Sequence, residues 1–202
     1  EVERGKVRIE LRSTLSQYPR WNRAFPIDTA AMRRRALDAE LAGRRVRRLE
    51  DADHLLYLLY HLGVVHLFRG PLWFLDLDRL LETAGTRLGW AAFERRAHAW
   101  GLAACAATGL DRVRRGLDSA VPDDVLARLR RVRRGGGLIG AFDPGAGALR
   151  REAGRFLLSP SAPKGLAALL EAAFPPRDWL AYRWGDPNRG YASAWLRHLR
   201  RG

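Results

Sequence analysis

At Glu50 the hydrophobic pattern of this chain changes period, and that change constrains the fold more than any other feature of its 202 residues. Before it, Lys6-Val7-Arg8-Ile9-Glu10-Leu11-Arg12 alternates. Val7, Ile9 and Leu11 fall on one face and Arg8, Glu10 and Arg12 on the other, the period-two mark of a half-buried strand. After it, apolar residues recur at helical spacing almost to the C-terminus. The switch opens on Glu50-Asp51-Ala52-Asp53, an acidic first turn that suits the positive end of a helix dipole. Leu55, Leu56, Leu58, Leu59, Leu62 and Val65 then cover nearly every side of the helix, which should make it the central, most buried one.

The remaining segments follow from breakers and caps. Pro19 and Pro26 predict an irregular crossing between Tyr18 and Ile27, and Asp28 caps a short helix from Thr29 to Ala39. Ala39 to Leu49 reads as a hairpin or pair of short extended pieces turning at Gly43, where sheet material ends. Gly70-Pro71 opens a second long helix, Leu72 to Ala84, and further helices are predicted at Trp90 to Thr108 and Pro122 to Arg134. Gly135 to Gly137 and Asp143-Pro144-Gly145 form a linker. Four more helices follow, at Ala146 to Leu158, Lys164 to Ala173, Pro176 to Tyr182 and Arg189 to Arg201. The expected fold class is α+β, predominantly α, with a small sheet unit at residues 1–50 and a helical bundle domain at 51–202.

Composition narrows the function classes. No stretch of about 18 uncharged apolar residues occurs, since His61 and His66 interrupt the longest candidate, so no membrane span is expected. The single cysteine, Cys105, lies among alanines and excludes a disulfide framework, which fits a reducing cytoplasm. Lys and Arg total 36 against 22 Asp and Glu, a net charge of +14. Only Lys6 and Lys164 are lysines, so the basicity is carried by arginine, dispersed over Arg33 to Arg35, Arg44 to Arg48, Arg128 to Arg134 and Arg197 to Arg201. Such runs read first as solvated faces and second as a surface for an acidic partner or nucleic acid. The N-terminal Glu1-Val2-Glu3-Arg4-Gly5 carries neither an initiator Met nor a secretory pattern, so an upstream part is expected to be missing.

The ordered run Gly43-Arg44-Arg45-Val46-Arg47-Arg48-Leu49-Glu50-Asp51-Ala52-Asp53-His54-Leu55-Leu56, followed by His61, His66, Arg69, Leu72, Trp73 and Asp76, resembles a known junction. It is similar to the segment joining catalytic lobe to helical domain in the uncharacterised bacterial nucleotidyltransferase family. Phe174-Pro175-Pro176-Arg177-Asp178-Trp179-Leu180-Ala181-Tyr182-Arg183-Trp184-Gly185 also resembles that family's closing segment. The resemblance implies that residues 1–50 are a remnant of the catalytic lobe, with a partial nucleotidyltransferase-type sheet. It also implies transfer of a nucleotidyl group from a nucleoside triphosphate to an unknown acceptor, with Mg²⁺ ions held by three carboxylates. Two metal ions stabilise both the attacking and the leaving oxygen in such a step. The family's Gly-Ser-x-x-x-Asp-x-Asp strand is missing from the sequence, so no catalysis is expected of this chain alone. The competing expectation is a non-enzymatic basic helical module that binds an acidic partner or nucleic acid.

Among individual residues, Glu10 is the candidate metal and catalytic carboxylate, because Ile9-Glu10-Leu11-Arg12 resembles the family's Val-Glu-Leu-His-like strand. Arg12 departs from that pattern, and a Glu on the exposed face of an edge strand is an equal reading. His61, His66, Arg69 and Asp76 are the candidate substrate or lobe-interface residues. Asp76 and Asp78 imitate an Asp-x-Asp pair, but Leu72, Trp73, Leu75, Leu80 and Leu81 follow helical spacing, which turns residues two apart about 200° from each other. His61 and His66 are five apart, about 140° around an α-helix, a poor arrangement for a shared metal, so His61 is expected to hydrogen-bond inside the lobe interface. The tryptophans at 73, 90, 100, 179, 184 and 195 fall at helical spacings and read as core.

Overall fold

A computed structural model of the chain describes residues 2–4, 7–9, 15, 19–131, 148–184 and 190–201. Within them the chain is predominantly helical, with two small antiparallel sheets confined to its first 48 residues. The first sheet pairs β1 (Val2–Arg4) with β2 (Val7–Ile9), Val2 opposite Ile9 and Arg4 opposite Val7. The strand predicted through Arg12 is thus one arm of a hairpin, and its part from Glu10 to Arg12 lies outside the described residues.

The predicted irregular crossing is instead a short helix, α1 (Pro19–Ala24). Proline is tolerated where a helix begins, because the N–H it lacks would have had no partner there. Trp21, Ala24 and Phe25 are fully or almost fully buried, so packing selects a helix where the breakers suggested none. α2 (Thr29–Arg35) starts on Asp28, whose carboxylate accepts from the Ala31 amide at 2.8 Å. It stops short of the predicted Ala39 because Ala36 is extended, with ψ of 139°, and the second sheet begins one residue later.

That sheet is a hairpin of β3 (Leu37–Leu41) and β4 (Arg44–Arg48), turning at Ala42 and Gly43, both with positive φ as a two-residue type I′ turn demands. Its register places Ala39 opposite Val46, and these two half-buried residues share one face. Asp38 opposite Arg47 and Glu40 opposite Arg45 put opposite charges across the other face. Arg47 pairs with Asp38 at 3.4 Å.

The helical region opens with α3 (Asp51–Tyr60), capped by the Glu50 carboxylate, and continues into a π-helical segment, His61–Val65. α4 (Pro71–Ala84) follows, then α5 (Trp90–Ala99), α6 (Ala103–Leu117) and α7 (Asp123–Arg130). The predicted helix from Trp90 to Thr108 is therefore two. Gly101 breaks it at φ +69°, and a Cβ there would lie 2.3 Å from the Cβ of Pro160, so only glycine fits both the backbone and the space. The predicted linker at 135–145 lies outside the described residues. Beyond it come α8 (Ala148–Leu158), α9 (Ala162–Ala173), α10 (Arg177–Trp184) and α11 (Tyr191–Arg201).

α3 lies at the centre, packed on α4, α5 and α6. Leu55, Leu56, Leu59, Tyr60 and Leu62 are completely buried and share one core with Trp21, Phe25, Phe93, Leu102, Leu110 and Leu126. α1 also packs on α9, and Trp21 donates its indole N–H to Glu152 of α8. Cys105 is buried in this core, where desolvation pushes its thiol up to about 12, so it stays neutral and unreactive. Among the described residues no helix is long and apolar enough to cross a membrane.

Candidate functional site

Among the described residues the passage from α3 to α4 departs from regular α-helical backbone, and the candidates His61, His66 and Arg69 lie on it. An α-helix would continue from Tyr60 with i to i−4 bonds. Instead the His66 amide reaches back five residues to the His61 carbonyl at 3.1 Å, and the Phe68 amide reaches six residues to Leu62 at 2.8 Å. Gly63 permits this close-packed turn, since a Cβ there would lie 3.0 Å from both Cys105 Sγ and Phe68 Cζ. Leu67 and Phe68 then take left-handed conformations, φ 53° and 58°, which cost side-chain-bearing residues about 1–2 kcal/mol each. Their burial in the core holds them there.

The far end of the π segment is held from outside. Arg155 of α8 donates from Nε to the Val64 carbonyl at 2.7 Å and from Nη2 to the Val65 carbonyl at 3.2 Å. These are the last carbonyls of a helical run, which its own turns leave unsatisfied. Arg155 also binds Glu152 at 2.8 Å, and Glu152 in turn accepts from Arg20 and Trp21 of α1.

The wide turn changes the relation between His61 and His66. Residues five apart diverge on an α-helix, but one π turn brings them onto the same side. Their Nε2 atoms lie 3.0 Å apart and their ring centroids 4.6 Å apart. The expectation that this spacing separates the two rings is overturned, because it assumed an unbroken α-helix. Trp73 of α4 closes the group, stacked on His66 at 4.4 Å and edge-on to His61 at 4.6 Å, with Tyr57 at 5.9 Å from His61. Both imidazoles are half-buried. Desolvation, helped by the positive Arg155, lowers His66 from its ordinary value.

Arg69 follows as a half-buried residue whose amide bonds the His66 carbonyl at 3.2 Å. Asp76 sits on α4, exposed, and its charge acts on His54. Asp76 and Asp78 do stand on one helix, and Asp78 is engaged by the Ser119 hydroxyl. The structure thus brings His61, His66 and Trp73 into contact, with Arg69 next along the chain and Asp76 one helical turn beyond Trp73. Glu10 lies outside the described residues.

Burial is the largest influence on His54 and lowers it. Asp51 and Asp76 pull it back up, while Arg48 adds to the lowering. In the unfolded chain this imidazole titrates near 6.5. As pH falls through 6.5 toward the folded-state value, the unfolded chain takes up a proton that the native state refuses, so stability falls with pH in that window and is regained above it. Urea midpoints at about pH 5 and pH 7.5 should therefore differ less in His54→Gln than in the native sequence. Equal differences in the two proteins would remove His54 from the account.

Sequence reasoning missed Asp53. It is fully buried, and Arg35 of α2 grips it with Nε on Oδ2 at 2.9 Å and Nη2 on Oδ1 at 3.1 Å. Arg96 of α5 adds a third bond at 2.8 Å and also binds Glu50. This cluster ties α2 and α5 to the start of α3. The acidic first turn was the only local signal, and it did not reveal that two cations arrive from distant segments. Elsewhere arginines pair with nearby acids: Arg48 with Asp51, Arg128 with Glu94 and Asp124, Arg130 and Arg115 with Asp111, and Arg114 with Asp123.

Among the described residues no group of three or more His, Cys, Asp or Glu side chains is placed to hold a metal ion. The described residues therefore do not supply the three-carboxylate set that a two-ion nucleotidyl transfer would use.

A mainly helical α+β chain, with its central helix entered from an Arg-bearing hairpin and left through a histidine-bearing turn, meets the family comparison on this same stretch. The family described as "uncharacterised nucleotidyltransferase" matches residues 1–118, from before β1 to just past the end of α6. The chain belongs to that family. No curated protein and no solved structure matches it.

Proposed function

We propose that the chain serves nucleotidyl transfer, moving a nucleotidyl group from a nucleoside triphosphate to an acceptor, with the α3–α4 passage on the substrate or lobe-facing side. Family membership across residues 1–118 carries this reading, because the matched stretch contains the whole histidine turn. Phosphoryl chemistry of this kind is positioning plus charge neutralisation. Mg²⁺ would supply the neutralisation, and Glu10 is the candidate ligand in the chain. A lone carboxylate cannot clamp two ions, so others have to complete the set.

The chain's own contribution is then a rigid helical wall. His61 and His66 offer ring nitrogens that donate or accept, Arg69 a cation suited to phosphate oxygens, and Asp76 an exposed carboxylate one helical turn from Trp73. The test is a thermal-shift titration with each nucleoside triphosphate, with and without Mg²⁺. A rise in melting temperature that depends on both is expected, as for any ligand that binds only the native state. No shift with any nucleotide would sink the reading.

A further inference from the structure

We propose that His61 and His66 form a two-imidazole site for a divalent transition-metal ion of the zinc class. The proposal takes the same two imidazoles that line the proposed substrate side, but it does not rest on nucleotidyl transfer and uses none of its carboxylates.

Three observations carry it. First, the π turn sets the two Nε2 atoms 3.0 Å apart. Two imidazole nitrogens on a tetrahedral zinc, each about 2.0–2.1 Å from the ion, stand about 3.3–3.4 Å from each other. The rings need open by only a few tenths of an ångström, and the direct contact between them gives way to a shared ion. On this backbone, five residues apart does what four apart does on an α-helix for paired histidine ligands.

Second, the rings are held before any ion arrives. His66 lies flat on Trp73 with 21° between the planes, and His61 meets Trp73 edge-on at 65° and Tyr57 at 30°. The backbone beneath them is fixed by Gly63, by the buried left-handed pair Leu67 and Phe68, and by Arg155 on the Val64 and Val65 carbonyls. Little rotamer freedom remains to be lost on binding, the condition for a functional site with few ligands.

Third, the donor type selects the ion. Imidazole suits zinc, copper and nickel, whereas Mg²⁺ and Ca²⁺ want oxygen. Because no third His, Cys, Asp or Glu of the described residues joins the pair, the remaining positions fall to water or to a ligand atom. Three-ligand catalytic zinc sites keep one such position open, and this site would keep more. The adjacent cation of Arg155 weakens binding and favours an anionic ligand in an open position.

The experiment is calorimetric titration of the full chain with Zn²⁺ alone in a non-chelating buffer. One saturable equivalent is expected in the native sequence, with affinity at least about tenfold weaker in His61→Gln and in His66→Gln, and unchanged in His98→Gln, an exposed histidine on α5. Should either variant fail to fold, a footprint on the native protein decides. Zn²⁺ should protect His61 and His66, but not His98, from acylation by diethyl pyrocarbonate. Absence of saturable binding, a stoichiometry carried equally by His98, or a footprint that spares neither ring of the pair would overturn the site.

Discussion

Asp53→Ala is expected to cost about 3 kcal/mol of folding stability, a large share of what a domain of this size possesses. The carboxylate has no exposed surface, while the Arg35 and Arg96 side chains it holds are 33% and 20% exposed. Removing it leaves two guanidinium groups without the partner that offsets their desolvation. Their partial exposure lets water compensate in part, which places the loss at the lower end of the range for broken buried pairs. Arg96 keeps Glu50, whereas among the described residues Arg35 is left with its approach to the Trp100 ring, 6.0 Å from the centroid. Asp53→Asn retains the shape and one acceptor, so it should lose less than the alanine variant. Urea unfolding of both variants, and of Asp53→Ala combined with Arg35→Met, measures the coupling. If Asp53→Ala loses under about 1 kcal/mol, the cluster is not what fixes α2 and α5 to α3.

The parts of this structure that were legible in the sequence are those that local chemistry decides. Asp28 caps α2 because an aspartate can accept from the amide three residues on, and Gly43 turns the β3–β4 hairpin because the turn needs positive φ. The Leu-rich run after Glu50 reads as a deeply buried helix, and Asp76 and Asp78 lie within the next long helix, as their apolar neighbours' spacing indicates. What stayed hidden depends on partners far along the chain. The break at Gly101 answers to Pro160, and α1 exists because Trp21 and Phe25 have a core to enter. The histidine turn was misread for the same reason. Spacing alone implies one helical period through this run. The π turn is held by Phe68 within the turn itself and by Cys105 and Arg155, two residues distant in the chain that no local pattern links to His61.

Arg155→Met should have the second large effect, and it connects stability to the candidate site. The side chain is 6% exposed and, among the described residues, donates to the Val64 and Val65 carbonyls and to the Glu152 carboxylate. Methionine fills similar space but donates nothing, so two carbonyls at the end of the π segment lose their donor and Glu152 loses one of its cations. Unsatisfied buried acceptors and a weakened buried ion pair together cost about 3 kcal/mol. Arg155→Lys should recover little, since a single ammonium lacks the forked geometry that reaches carbonyls and carboxylate together. The variant also separates the π turn from global stability. Without its external clamp, the segment should relax toward i to i−4 bonding, which carries His61 and His66 apart. Amide exchange at His66 and Phe68, whose N–H groups make the long-reach bonds to His61 and Leu62, should then speed up more than exchange in the middle of α3. A uniform acceleration across α3 and the turn would show that Arg155 supports the fold as a whole and leaves the π geometry to Gly63 and the buried Leu67–Phe68 pair.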